Sequence, residues 1–364
     1  MSETYISFYK IGGFLLKKLF VLYRIIILAF IAVIFTGCVN NNAPNNNSTV
    51  TEIKIGVFLY TKDDTFISTL QSNLEKAARN KEISDGIKIV INSFDGKGSQ
   101  TAQNEQIYKC LEQDYDVLCI NLVDRTVAAP IIDKAKINNT PIVFFNREPV
   151  KEDLERWDRV YYVGAPASES GEMQGSIIVD MYNSGKYNID KNGDGKLQYV
   201  MLEGEQGHQD SLLRTEYAIK TITNEGIQLD KLANESANWQ RSQAASKISQ
   251  CINTFGDDIE VILSNNDDMA LGAIDAYKAE GIEKLPVIVG VDCTEPAVEE
   301  LRSGNLAGTV FGDFKGQAQS IIDLSCALAL GRNPENYVDL EDGRYVMHPY
   351  IAVTMDNLYK LELK

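Results

Sequence analysis

From residue 52 onward, short runs of apolar and β-branched residues alternate with longer segments in which apolar residues recur at helical spacing. The runs are EIKIGVFLY (52–60), IKIVINSF (87–94), VLCINLVD (117–124), PIVFFN (141–146) and YYVG (161–164). Helices are expected from about Phe66 to Arg79, through Gln106 to Leu111, and over PIIDKAKIN (130–138). Strands that read as continuous hydrophobic runs between helices predict an α/β fold with a parallel sheet buried on both faces.

The alternation begins again after about Gly164. A helix from Ser168 to Met181 leads to LQYVMLEG (197–204), a helix from Leu212 to Glu225, IEVILSNN (259–266), a helix from Met269 to Glu280, and PVIVGVD (286–292). A further strand, AGTVFGD (307–313), and an amphipathic segment from Gly316 to Leu330 are expected to return to the first half. The prediction is two doubly wound parallel-sheet lobes joined by a three-crossing hinge near Gly164, Phe311 and Asp342. The first lobe takes 52–163 plus 312–342 and the second 164–311 plus 343–364. Several crossings between two lobes permit hinge closure on a ligand.

The first 37 residues differ from the rest. Lys10, Lys17, Lys18 and Arg24 precede an apolar run from Ile25 to Phe35, which is too short to span roughly 30 Å of hydrocarbon and reads as a signal peptide. A retained anchor is the alternative. Phe35-Thr36-Gly37-Cys38 then resembles a bacterial lipobox, with Phe35 where Leu is usual, and places a lipidated Cys38 at the start of the exported chain, an ordinary Cys near a secretory cleavage site being the alternative. VNNNAPNNNST (39–49) has no apolar periodicity and reads as a tether.

Across the chain, 35 Lys and Arg face 51 Asp and Glu, a net charge of −16. Such a balance repels a phosphate backbone, and no basic patch is segregated to offset it, so nucleic acid is not an expected partner. Neither GxGxxG after the first strand nor GxxxxGK[ST] occurs, which removes the main support for nucleotide binding. Cys110, Cys119, Cys251, Cys293 and Cys326 lack metal-ligand spacing. Cys110, Cys119 and Cys326 are expected to pack as small hydrophobes, a Cys110–Cys119 disulfide being the alternative.

Ligands of open α/β sheets bind beyond the carboxyl ends of the strands. The residues there are Lys62-Asp63-Asp64-Thr65-Phe66, Asn146-Arg147-Glu148, Glu203-Gly204-Glu205 continuing to His208 and Asp210, Asn265-Asn266-Asp267-Asp268, and Asp292. They are amides and carboxylates, with Phe66 and Trp239 as flat aromatics close by. Asp64 and Asn266 can equally cap the helices that follow them, and Trp157 reads as packing.

Asp190-Lys191-Asn192-Gly193-Asp194-Gly195-Lys196-Leu197-Gln198 reproduces the first nine positions of an EF-hand loop. Asp190, Asn192 and Asp194 offer side-chain oxygens, Gly195 makes the sharp turn, Lys196 offers its backbone carbonyl and Gln198 a side-chain oxygen. The twelfth position is Met201, so a remote carboxylate must complete a calcium shell.

Together with YTKDDTF (60–66), INLVD (120–124), PIVFFNREP (141–149), IEVILSNNDDMALGA (259–273), GVD (290–292) and LAGTVFGD (306–313), this loop and the GEQGHQD that follows it resemble the D-galactose/D-glucose-binding proteins, the extracytoplasmic receptors of sugar ABC transporters. The resemblance covers roughly 52–364. It implies a periplasmic binding protein type I fold, a monosaccharide (D-galactose or D-glucose) as ligand, an ABC permease as partner and a chemoreceptor or sensor as a further one; with the lipobox, the expectation is a monomer tethered to the membrane through Cys38. It places the pyranose contacts on Asp64 and Asn146 in the first lobe and His208, Asp210, Arg214, Asn266 and Asp292 in the second, with Phe66 and Trp239 as stacking rings. Glu260 falls where the family closes the calcium shell. Gly312 departs from the family pattern, which has an Asn there.

The competing class is a secreted carbohydrate-active enzyme using paired carboxylates such as Asp210 and Asp292. Arg214 beside Asp210 argues against it, because a nearby guanidinium keeps a carboxylate ionised. A sensory receptor shares the binding site and differs only in partner.

Overall fold

The computed structural model describes residues 51–185 and 187–362. The leader, Cys38 and the Asn-rich segment lie outside the described residues.

The first half runs β1 (Glu52–Leu59), α1 (Thr65–Asp85), β2 (Lys88–Asp95), α2 (Gln100–Leu111), β3 (Val117–Ile120), α3 (Ala128–Ile137), β4 (Ile142–Phe145), α4 (Lys151–Leu154) and β5 (Val160–Gly164). The second runs α5 (Ala167–Ser184), β6 (Lys196–Glu203), α6 (Gln209–Asn224), β7 (Gln228–Ser236), α7 (Arg241–Phe255), β8 (Val261–Ser264), α8 (Asp267–Ala279), β9 (Val287–Val289), α9 (Glu295–Arg302) and β10 (Thr309–Gly312). The chain then crosses back through α10 (Phe314–Ala329) and β11 (Tyr345–Met347) and ends with β12 (Tyr350–Val353) and α11 (Leu358–Glu362).

In the first lobe the strand order is β11-β5-β4-β3-β1-β2, all parallel. Alternate residues of β1 face opposite sides, as a pleated strand requires. Ile53, Ile55, Val57 and Leu59 pack with α1 and α10, while Phe58 packs with Leu118, Ile120 and Phe144 beneath α2 and α3. A run with no polar face is therefore a strand with no solvent face. The second lobe holds β7-β6-β8-β9. Bridges Val289–Gly308 and Asp292–Phe311 bring the antiparallel β10–β12 pair to the edge of that sheet. Val200 and Leu202 of β6 meet α7 and α8, and Leu197, Tyr199 and Met201 meet α5 and α6.

The return of α10 to the first lobe follows from its apolar face, where Ile321, Ile322 and Leu324 pack on Leu70 and Leu74 of α1. One expected boundary is corrected. The third crossing lies between Met347 and Tyr350, not near Asp342, because Tyr345, Val346 and Met347 pair with Tyr162, Val163 and Gly164. Asp342 and Gly343, at φ 48° and 68°, form a tight turn, bridged from Glu341 to Tyr345, that feeds β11 into the first sheet instead of leaving it. All three crossings meet at His348, whose N–H donates to the Gly164 carbonyl at 2.8 Å and whose Nδ1 is 3.9 Å from Asp313 Oδ2.

The five cysteines of the described region are free and buried, with no Cys110–Cys119 disulfide. Trp157 packs among core residues at the far face of the first sheet. Among the described residues no helix is long and apolar enough to cross a membrane.

Candidate functional site

The loops at the carboxyl ends of the strands converge on one cavity between the lobes. It is lined by Asp64, Phe66, Asn146, His208, Asp210, Arg214, Trp239, Asn266 and Asp292, which is every pyranose-contact residue implied by the resemblance, and by Tyr60, Ile67 and Arg147. Arg147 lay in a strand-end segment singled out in the sequence without a role. Tyr60 ends the first apolar run and carries no signal separating it from core.

Several of these side chains cap helices as well as face the cavity. Asp64 Oδ1 accepts from Ile67 N at 2.9 Å at the start of α1, and Asn266 Oδ1 accepts from Met269 N at 2.9 Å at the start of α8. His208 Nδ1 accepts from Asp210 N at 3.1 Å at the start of α6. Capping and ligand contact are thus compatible at Asp64, since a carboxylate has more acceptor sites than one cap uses. Tyr60 Oη donates to the second oxygen of Asp64 at 2.6 Å. Asn146, at φ 60°, accepts from Asn121 Nδ2 at 3.0 Å through its side-chain oxygen.

Arg214 is the electrostatic centre. Its Nη1 donates to the Asn265 carbonyl at 2.6 Å and its Nη2 to Tyr350 Oη at 3.2 Å. Asp210 Oδ2 and Asp292 Oδ1 lie at 3.7 and 3.8 Å from the guanidinium, and Nε has no hydrogen-bond partner among the described residues. Burial opposes its charge, but Tyr350, Asp292 and Asp210 outweigh burial and raise its pKa. Burial raises the Asp292 carboxyl well above the usual range, with Arg214 working in the opposite direction. Burial also pushes His208 down to about 4, the nearby Asp210 only partly offsetting it, so the imidazole is neutral at pH 7.

Phe66 and Trp239 supply the apolar walls from opposite lobes. Phe66 is held edge-to-face by Phe314 at 5.9 Å, and Trp239 by His208 at 5.1 Å. The indole lies so close to the β6–α6 loop that a Cβ at Gly204 would come within 2.1 Å of its ring, which explains the glycine in Glu203-Gly204-Glu205. The lobes are closed. Thr65 Oγ1 donates to Asp268 Oδ2 at 2.7 Å, Arg147 Nη2 to Glu205 Oε1 at 3.0 Å, and Gln209 Nε2 to Glu148 Oε2 at 3.4 Å, each across the cleft.

The Asp190–Gln198 loop lies on the second lobe away from this cavity. Asp190 accepts from Gly193 N and Gly195 N at 2.7 and 3.0 Å, Asn192 Oδ1 from Asp194 N at 2.8 Å, and Asp194 Oδ1 from Lys196 N at 2.8 Å. Gln198 bonds to Asn192 and Asp194 at 3.1 and 2.9 Å. Glu260, 1% exposed, accepts from the backbone N–H groups of Lys191, Asn192 and Gln198 and so joins the loop from the start of β8. Among the described residues no cluster of three or more His, Cys, Asp or Glu forms a metal site. The side-chain oxygens that these hydrogen bonds gather are the carboxylates of Asp190, Asp194 and Glu260 and the amides of Asn192 and Gln198, types that a hard cation accepts.

Two lobes closed over a buried polar cavity with aromatic walls define a binding protein that encloses a small solute. The periplasmic binding protein domain family matches residues 55–333, and the chain belongs to it. It is 39% identical over 308 residues to the D-galactose/methyl-galactoside binding periplasmic protein MglB of Haemophilus influenzae, covering 84% of this chain and 90% of that protein. It is 28% identical to a putative rhizopine-binding protein of Rhizobium meliloti, covering 85% and 93%. Among solved structures, an ABC transporter solute binding protein from Bacillus halodurans with bound myo-inositol superposes with a TM-score of 0.71 at 26% identity, covering 86% of this chain and 98% of that one. The family acts outside the cytoplasm, and its members are solute-binding proteins.

Proposed function

We propose that the protein binds a monosaccharide, D-galactose or D-glucose, between its lobes and delivers it to an ABC permease. The observation that carries this reading is the single cavity holding two aromatic walls from opposite lobes and a rim of Asp64, Asn146, His208, Asp210, Arg214, Asn266 and Asp292. A pyranose has apolar C–H faces and a rim of hydroxyls that both donate and accept, and this surface is its complement. Arg214 Nε, without a hydrogen-bond partner among the described residues, and the flanking carboxylates offer charge-assisted hydrogen bonds to neighbouring hydroxyls. The 39% identity to a galactose-binding relative supports the choice of hexose. Closure then follows from ligand contacts made by both lobes at once, which favour the closed state over the open one.

No catalytic role is proposed. The lobes close over the cavity through Thr65–Asp268 and Arg147–Glu205, whereas a glycosidase needs a cleft open to the leaving group. Calcium is proposed for Asp190, Asn192, Asp194, the Lys196 carbonyl, Gln198 and Glu260, as a brace within the second lobe that does not touch the sugar. Cys38 is proposed as the lipidated residue anchoring the exported chain.

Calorimetric titration of residues 50–364 with D-galactose, D-glucose and D-ribose tests the reading. One-to-one binding of a hexose with weak or absent ribose binding is expected. Silence toward both hexoses from folded protein overturns it.

A further inference from the structure

We propose that Glu205, Arg147 and Tyr60 form a latch that couples lobe closure to the setting of Asp64, a role that rests on reading the cavity as a sugar site. Arg147 follows β4 in the first lobe and is only 4% exposed. Its Nη1 is fixed to the Val123 carbonyl at 2.7 Å, and its guanidinium carbon stacks 3.8 Å from the centre of the Tyr60 ring. The hydroxyl of that ring donates to Asp64 Oδ2 at 2.6 Å. The remaining arm, Nη2, reaches across the cleft to Glu205 Oε1 at 3.0 Å.

The chemistry makes this contact sensitive to closure. A guanidinium withdrawn from water needs acceptors for its donors, and a carboxylate is the strongest available. Glu205 is the sole carboxylate within ion-pair distance of Arg147 among the described residues. It belongs to the other lobe, so only closure brings it, half-exposed, against the buried guanidinium. Glu205 is itself firmly placed. Its carbonyl accepts from His208 N at 3.1 Å, and the preceding Gly204 packs under the Trp239 indole. The latch therefore joins the loop carrying His208 in one lobe to the carboxylate of Asp64 in the other, through a stacked arginine and tyrosine. Breaking it leaves the buried guanidinium short of a partner in the closed form alone, which shortens the lifetime of that form.

The test combines Glu205→Gln, Arg147→Met and the double variant, with D-galactose and D-glucose as ligands. Affinity is read by calorimetry and dissociation by stopped-flow tryptophan fluorescence. Glu205→Gln is expected to speed sugar dissociation about three- to tenfold with little change in association, as loss of a partly buried charge pair acts mainly on the off-rate. The double variant is expected to fall short of the product of the single effects, as coupled contacts do. The wild-type off-rate is expected to rise with salt and that of Glu205→Gln to stay flat, a difference that a merely structural Glu205 does not produce. Unchanged dissociation in Glu205→Gln, or multiplicative effects in the double variant, overturns the latch while leaving sugar binding intact. Wild-type silence toward both hexoses instead overturns the site reading. The latch rests on that reading and falls with it.

Discussion

Arg214 Nη1 stands 3.8 Å from Asp292 Oδ1, one residue on helix α6 and the other on a loop whose strained backbone is held by its surroundings. Asp292 and Cys293 have φ of 118° and 58°, conformations that residues other than glycine rarely adopt. The loop is pinned by Asp267, whose carboxylate accepts from Thr294 N at 2.8 Å and Thr309 Oγ1 at 2.7 Å. Arg214→Met is expected to weaken hexose binding by about 2–5 kcal/mol, because it removes donors and leaves Asp210 and Asp292 without their cation. Arg214→Lys is expected to recover only part of the loss, since a point charge cannot replace a planar fork. Calorimetry on both variants checks the order.

His208 makes stability depend on pH in a definite direction. Its folded pKa is pushed down to about 4 by burial, below the roughly 6.5 of an unfolded His, so the unfolded chain binds the extra proton between those values. The contribution of neutral His208 is present above pH 6.5 and is lost as pH falls toward 4, by roughly 3 kcal/mol in total. Asp267, raised to about 7 mainly by burial, acts oppositely, its contribution being complete below the unfolded carboxyl pKa and lost as pH rises through 7. Urea unfolding of wild type and His208→Gln at pH 7.5, 6 and 4.5 separates the two. The variant is expected to lose less stability than wild type on acidification, and parallel profiles would contradict the assignment.

Gly312 stands where the resemblance to the D-galactose/D-glucose-binding proteins implies an Asn. A Cβ there would lie 3.3 Å from the Tyr350 ring and 3.5 Å from the Phe66 ring, so a side chain fits with a small shift of either ring. Gly312→Asn is expected to tighten binding of D-galactose or D-glucose by about 0.5–1.5 kcal/mol through one added hydrogen bond. Titration of both sugars reads it, and an unchanged affinity and preference would show that the position does not reach the ligand.

Calcium, on the proposed site, stabilises by binding the folded state alone, so the melting temperature rises with its concentration. EGTA is expected to lower the melting temperature, and Glu260→Gln to abolish the response. Hexose affinity at a temperature where the lobe stays folded is expected to change less than about twofold in either case, because the loop lies apart from the cavity. Loss of binding on chelation at that temperature would refute a purely structural ion.

Much of the fold was legible because burial on both faces of a parallel strand leaves an unbroken apolar run, as in Ile142–Phe145 and Val261–Ser264. Where burial fails, so does the signal. Strand β7, QLDKLANES, is an exposed edge with no apolar run, and it escaped the pattern entirely, as did helix α7 after it. The short β11 escaped too, since the Asp342–Gly343 turn looks like an exit from the lobe and only pairing with β5 shows it to be an entrance.

The sequence by itself determined which residues lie beyond each strand and what chemistry they carry, because the βα repeat sends every such loop to the same end of its sheet. That is why Asp64, Asn146, His208, Asp210, Asn266 and Asp292 were readable as candidates, with Phe66 and Trp239 near them. Only the tertiary structure decided which of these loops face one another across the cleft. Arg147 meets Glu205, and Thr65 meets Asp268, through the relative rotation of two lobes. That rotation is set by hinge geometry and cleft packing, and no periodicity along the chain encodes it.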